Sequence, residues 1–180
     1  MLPLILRYGV IAGLIVAAPM LGLYFSAKPG EPHVGGWVIG YLTMLVALTM
    51  VFLGIKHYRD KVSGGVIRFL PALGLGLGIS FVASLFYVAA WEICMAKGSA
   101  AEFIASYRNE MVEAARATAK TPEALASAIA DADSFAKNYT NPPFRMAMTF
   151  IEIFPVGLLI SLISAAVLRN PRVLPARTQP

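Results

Sequence analysis

The chain has 180 residues, of which 58% are hydrophobic and 14% charged, whereas ordinary soluble domains hold roughly 45–50% apolar and about 25% charged residues. That balance excludes an ordinary soluble globule, and a single cysteine, Cys94, excludes an intramolecular disulfide or a CxxC zinc cage. A net charge of +5 could suit nucleic acid. The basic residues flank long apolar runs, however, a placement that fits membrane topology and anionic lipid instead.

A hydrocarbon layer about 30 Å thick takes roughly 20 helical residues to cross. Four stretches meet that length: Tyr8 to Phe25, Gly36 to Ile55, Phe69 to Cys94 and Met146 to Leu168. The first follows Arg7 as a signal peptide would. Its apolar run is too long for that, and cleavage would put Tyr24 or Phe25 where a small residue belongs, so a retained span is expected. Gly9, Gly13 and Ala17 recur in it every four residues, a smooth face that lets helices approach closely in lipid. Pro19 interrupts its backbone ladder and is expected to bend the second half.

The second run leads into a short basic loop, GIKHYRDKVSGGVIRF, where Gly64-Gly65 supplies the turn. Lys56, Arg59, Lys61 and Arg68 of this loop are expected to contact anionic lipid head groups. In the third run, ALGLGLGISFVAS, Gly74 and Gly78 form GxxxG, with Gly76, Ser80 and Ser84 as a neighbouring stripe. No strand precedes these glycines and no lysine follows, so they read as helix packing rather than a phosphate loop.

A polar stretch separates spans three and four. Ser99 followed by Glu102 is a capping box, and Phe103, Ile104, Tyr107, Met111 and Ala115 then recur at helical spacing. Thr121 caps a second helix with Pro122 in its first turn. Its apolar face is Leu125, Ile129, Ala132, Phe135 and Tyr139, and Asn141-Pro142-Pro143 ends it. Residues 99–139 thus read as an extramembrane helical hairpin. The predicted fold is all-α, an integral membrane four-helix bundle formed as one membrane domain over residues 1–180, with the hairpin inserted between spans three and four.

Short loops rich in Lys and Arg stay on the cytoplasmic side. One side holds Arg7, Lys56, Arg59, Lys61, Arg68, Arg169, Arg172 and Arg177 against Asp60 alone, while the hairpin side holds seven basic and seven acidic residues. Both termini are therefore expected in the cytoplasm and the hairpin outside.

Two carboxylates fall inside the apolar runs. Glu152 lies roughly 10 Å below Arg145 at 1.5 Å per residue, and the cost of an acidic group at that depth predicts that it faces the bundle interior. Pro155 withdraws the N–H that the Ile151 carbonyl would accept from, leaving an oxygen beside Glu152. Glu92 lies at the outer end of span three after Trp91, with Lys97 or Arg145 as an interfacial partner. Glu92, Glu152 and His33 share one membrane half and form a candidate site for carrying a proton or binding a cation. The plainer alternative makes Glu152 a hydrogen-bonding strut between helices, His33 a loop residue and Cys94 an apolar filler.

Three strings, GIKHYRDKVSGGVIRF, FYVAAWEI and FRMAMTFIEIFPVGLLISLISAAVLR, resemble a bacterial family of four-span membrane proteins known as domain of unknown function four-one-nine-nine. The resemblance extends over nearly the whole chain, with the hairpin alike only in length and helical character. It implies a bacterial inner-membrane location and no established activity, cofactor or partner.

No nucleophile–base pair, HExxH, nucleotide fingerprint or thiol motif occurs, so no catalytic, cofactor-binding or metal residue is assigned and an enzyme is not expected. The expected role is structural or accessory, with the hairpin binding a membrane or periplasmic protein. The alternative is a small homo-oligomeric transporter component, coupled to protons or cations through Glu152 and Glu92.

Overall fold

A computed structural model describes residues 1–26, 36–97 and 100–175. His33, Ser99 and Arg177 lie outside the described residues. Those described form six helices and no strand: α1 (Leu2–Ser26), α2 (Gly36–Lys61), α3 (Phe69–Lys97), α4 (Ala100–Thr118), α5 (Pro122–Tyr139) and α6 (Pro142–Leu168). Four of them are long and apolar enough to cross a membrane: Leu2–Ser26, Val38–Lys61, Phe69–Lys97 and Pro142–Leu168, with mean hydropathy between 2.0 and 2.3. Each helix overruns its apolar stretch by several residues. At the end of α2 the overrun carries Arg59 and Lys61, where cations complement the negative end of the helix dipole. At the start of α6 it carries Pro142 and Pro143, whose fixed φ suits a first helical turn. Lys56 to Lys61 are thus helical, and the turn runs from Val62 to Gly65, with Gly64 and Gly65 at φ 66° and 90°, values that side-chain-bearing residues rarely adopt.

The chain forms two compact units, Met1–Trp91 with Phe150–Pro180, and Glu92–Thr149. In the first, the four spans meet through small residues. A Cβ added to Gly9 would lie 2.6 Å from Val82 Cβ, one on Gly13 2.5 Å from the Phe86 ring, and one on Gly78 2.7 Å from Ile5. The pairs 5–78, 9–82 and 13–86 advance together, so α1 and α3 run in the same direction. Against α6 the order reverses: Gly76 receives Ser161 and Gly157 receives Ser80, with built Cβ distances of 2.9 and 2.7 Å. Each glycine is the hole for a serine of the other helix. Hydrogen bonds finish this seam. Ser80 Oγ lies 3.3 Å from Ser161 Oγ and donates to the Gly157 carbonyl at 3.2 Å, while Ser161 Oγ donates to the same carbonyl at 2.7 Å. Ser84 bonds back to the Ser80 carbonyl at 2.8 Å. Around the seam lies a core of Val16, Met44, Leu48, Val51, Ile55, Leu75, Ile79 and Ile153, all buried.

Gly74 departs from the expected packing role, because a Cβ there would meet nothing within 4 Å. The register explains it. Gly78 pairs with Ile5, so Gly74 stands level with residue 1, and α1 begins only at Leu2.

In the second unit, Thr121 caps α5 by accepting a hydrogen bond from the Ala124 N–H at 3.2 Å, with Pro122 in the first turn. Val112 and Ala132 are the buried apolar residues of the two hairpin helices. Val112 was not among the positions expected on the α4 stripe. Phe103 and Tyr107, which were, stay 36% and 44% exposed. Their rings belong to an aromatic cluster instead. Phe103 stacks on Tyr107, Tyr107 meets Phe135 at 5.6 Å, and Phe135 meets Tyr139 at 5.4 Å and Phe144 of α6 at 6.0 Å.

The glycine pair yields a test. Gly76→Ala forces a Cβ into Ser161 and is expected to cost about 1–3 kcal/mol, as overpacking does. Gly74→Ala meets open space and is expected to change stability by no more than about 1 kcal/mol, in the favourable direction. Unfolding by denaturing detergent in mixed micelles measures both, and equal losses would contradict the register.

Candidate functional site

Three polar clusters are set into or beside the spans, and each contains a residue singled out from sequence. The first is at Glu152. Tyr87 of α3 donates its hydroxyl to Glu152 Oε2 at 3.2 Å. Glu152 does not face the bundle interior as expected; it is exposed on the surface of the chain. The reason is helical geometry. The buried face of α6 is set by Ile153, Gly157, Ser161 and Ser164, and Glu152 stands five residues before Gly157, roughly 140° around a helix of 3.6 residues per turn. Pro155 is exposed on the same side and lies inside the helix, which continues through it to Leu168.

The magnitudes matter here. An acidic side chain at membrane depth costs up to about 2.5–3.5 kcal/mol, whereas one side-chain hydrogen bond between membrane helices returns about 0.6 kcal/mol on average. Tyr87 offsets only a fraction of that cost.

The second cluster is at Glu92. Of the two partners that the sequence offers it, Arg145 is the one in contact: Nε donates to Oε1 at 2.8 Å and Nη2 to Oε2 at 2.5 Å. The third nitrogen, Nη1, donates to the Tyr139 carbonyl at 3.3 Å. This planar two-point pairing is the strongest form of side-chain salt bridge. Both side chains are largely withdrawn from solvent, at 9% and 18% exposure. It joins the last turns of α3 to the first turn of α6, across the ends from which the hairpin leaves and returns. Glu92 is therefore engaged by a guanidinium, and His33, the third residue of the site read from sequence, lies outside the described residues. Cys94 is buried.

The third cluster corrects the reading of Arg59. Its side chain is fully buried, so it does not reach lipid head groups. It donates from Nε to Asp60 at 2.7 Å and from Nη1 to the Val173 carbonyl at 2.9 Å, while Nη2 binds the Leu174 carbonyl. Asp60 also pairs with Lys56. The segment after α6 folds back over this guanidinium, and its carbonyls take the place that water or phosphate would fill. Lys61 and Arg68 remain exposed. Beside this cluster the Tyr8 hydroxyl and His57 Nδ1 are 3.1 Å apart. Tyr8, Leu53, Lys56, His57, Asp60 and Lys61 line a shallow open cleft of about 300 Å³.

Among the described residues, no three His, Cys, Asp or Glu side chains come together in a way that could hold a metal ion. A family described as a protein of unknown function (DUF4199) matches residues 7–170. The chain belongs to this family. The match takes in the four spans and the hairpin, so Glu92, Arg145, Tyr87, Glu152 and Arg59 all lie within the shared region. No curated protein and no solved structure matches the chain.

Of these features, Tyr87, Gly157 and Ser161 escaped the sequence reading. Gly157 and Ser161 stand in the small-xxx-small spacing that marks helix contacts in membranes, so the signal was available. Tyr87 carries none.

The Glu92–Arg145 pair yields a double-mutant test. Arg145→Met leaves a largely buried carboxylate without its guanidinium and is expected to destabilise by about 3–5 kcal/mol, whereas adding Glu92→Leu to it restores most of the loss. Circular dichroism during denaturant unfolding reads the four variants. Additive losses would mean that the two groups do not act on one another.

Proposed function

We propose that this protein is an accessory membrane protein whose outer helical hairpin is the contact surface for another membrane or periplasmic protein. The observation that carries the reading is the pairing of a fixed base with an exposed face. The two feet of the hairpin are tied by the Glu92–Arg145 bridge, and α4 presents Phe103 and Tyr107 with over a third of each residue exposed. Aromatic side chains held in place by neighbours make large contacts at small entropic cost, and they are enriched at interface hot spots. The excess of basic residues at the end carrying both termini supports a cytoplasmic placement of that end in a bacterial inner membrane. Exposed Lys61 and Arg68 then face anionic head groups.

A second reading, a proton- or cation-coupled transport component, draws on Glu152, a carboxyl at membrane depth with a tyrosine hydroxyl as donor. Such residues mark ion pathways by default, and four short spans would need further copies to enclose one.

Two measurements separate the readings. A photo-reactive amino acid at position 107, activated in intact membranes, is expected to give a discrete protein adduct that disappears with Phe103→Ser. Adducts with lipid alone would contradict the accessory role. Purified protein in liposomes is expected to pass no more protons or monovalent cations than empty liposomes. A flux abolished by Glu152→Gln would establish transport instead.

A further inference from the structure

The segment that follows α6 is held by very little of its own. Of residues 169–175, Val173 is half-buried and the others are exposed, so no buried side chain anchors the segment. Its internal bonds are local: the Val173 N–H donates to the Asn170 carbonyl at 3.1 Å and the Arg172 N–H to Asn170 Oδ1 at 3.0 Å. Among the described residues, the hydrogen bonds that tie it to another helix come from Arg59 of α2. Nη1 donates to the Val173 carbonyl at 2.9 Å, and Nη2 to the Leu174 carbonyl. Leu174 is meanwhile turned to φ 47°, a left-handed conformation that a residue with a side chain enters at a cost. With 53% of Leu174 exposed, packing offsets little of that cost. The guanidinium is what holds the turn.

Arg59 is fully buried and shares Asp60 with Lys56. Two cations on one carboxylate leave the cluster with an excess of positive charge, which neutral carbonyls do not cancel. A phosphate would cancel it, and its oxygens would accept the same donors in stronger, charge-assisted bonds. We propose that residues 169–175 form a releasable strap over Arg59, and that the strap gives way to the phosphate of an anionic lipid head group. The phosphate oxygens then take the donors that the Val173 and Leu174 carbonyls hold when the strap is shut. Opening without an anion would leave a buried guanidinium short of acceptors, so release is coupled to capture. Leu174 returns to ordinary backbone on release, which lowers the cost of opening. The position suits a lipid source, since Arg59 stands in the last turn of a helix long and apolar enough to span a membrane. The strap works the same way whatever the hairpin binds.

The test uses the full chain with a nitroxide at exposed position 172 (Arg172→Cys with Cys94→Ala), in nanodiscs of phosphatidylcholine with or without phosphatidylglycerol. The line shape separates a held strap from a mobile one. Phosphatidylcholine, whose phosphate is neutralised by its own choline, is expected to leave the label immobile. Phosphatidylglycerol is expected to raise the ratio of mobile to immobile label by about tenfold, the shift that one charge-assisted hydrogen bond supplies. Arg59→Met frees the label in both lipids. Leu174→Gly, which leaves the bundle untouched, shifts it back toward the held state, because the strain relieved outweighs the freedom that glycine adds. Native mass spectrometry is expected to find phosphatidylglycerol retained on the parent chain and lost from Arg59→Met. Mobility raised in phosphatidylcholine by inorganic phosphate alone assigns the site to a soluble phosphate instead of a lipid. A label that ignores both phosphatidylglycerol and phosphate would overturn the proposal. So would a label as immobile in folded Arg59→Met as in the parent, or Leu174→Gly that loosens the strap.

Discussion

In a bilayer, helices gain nothing by hiding apolar surface from one another, since lipid is as apolar as leucine. What holds this chain together is the close approach of α3 and α6 along Gly76–Ser161 and Ser80–Gly157. Removing a side chain from one helix at each level lets the other press a serine into the space. The hydroxyl then reaches a carbonyl that helix geometry alone leaves accessible. Dispersion across that seam and the bonds to the Gly157 carbonyl replace the hydrophobic effect. The approach of α1 to α3 through Gly9, Gly13 and Gly78 repeats the device in parallel orientation.

Beyond the seam, charge is used to tie ends rather than to meet solvent. Arg59 gathers Asp60 and the carbonyls that follow α6, and Arg145 gathers Glu92 and the Tyr139 carbonyl. Both are guanidinium groups, whose planar array of donors suits several acceptors at once and loses less on desolvation than an ammonium. Glu152 differs from both. Its donor is a neutral hydroxyl, and it stands on the surface of the chain.

Much of this was legible in the sequence, and the misses have physical causes. Span number and helix class follow from apolar run length, since nothing else accounts for four apolar stretches of that size. Thr121-Pro122 marked a helix start because capping chemistry is local. Gly9, Gly13 and Gly78 were found by spacing, whereas Gly74 has the same spacing and no neighbour, because the partner helix ends at its level. Arg59 looked like its basic neighbours. Besides Asp60, its acceptors are carbonyls more than a hundred positions away, and a carbonyl has no sequence signature. Depth along α6 does not by itself give the direction in which Glu152 faces. The glycine and serine positions of α6 already define the packed side, and Glu152 is not on it.

The arrangement of α3 against α6 is the part on which the positions of both Tyr87 and Glu152 depend. Its most direct test is a paired-cysteine measurement in native membranes, with Cys94→Ala as background so that the introduced pair supplies the thiols. Gly76→Cys with Ser161→Cys is predicted to close an intramolecular disulfide rapidly, because the two β-carbons face each other across the seam. Gly74→Cys with Ser161→Cys, two residues away on the turned-out side of α3, is predicted to stay reduced. Closure of the second pair at the rate of the first, or failure of the first, would contradict the antiparallel register and with it the placement of Glu152.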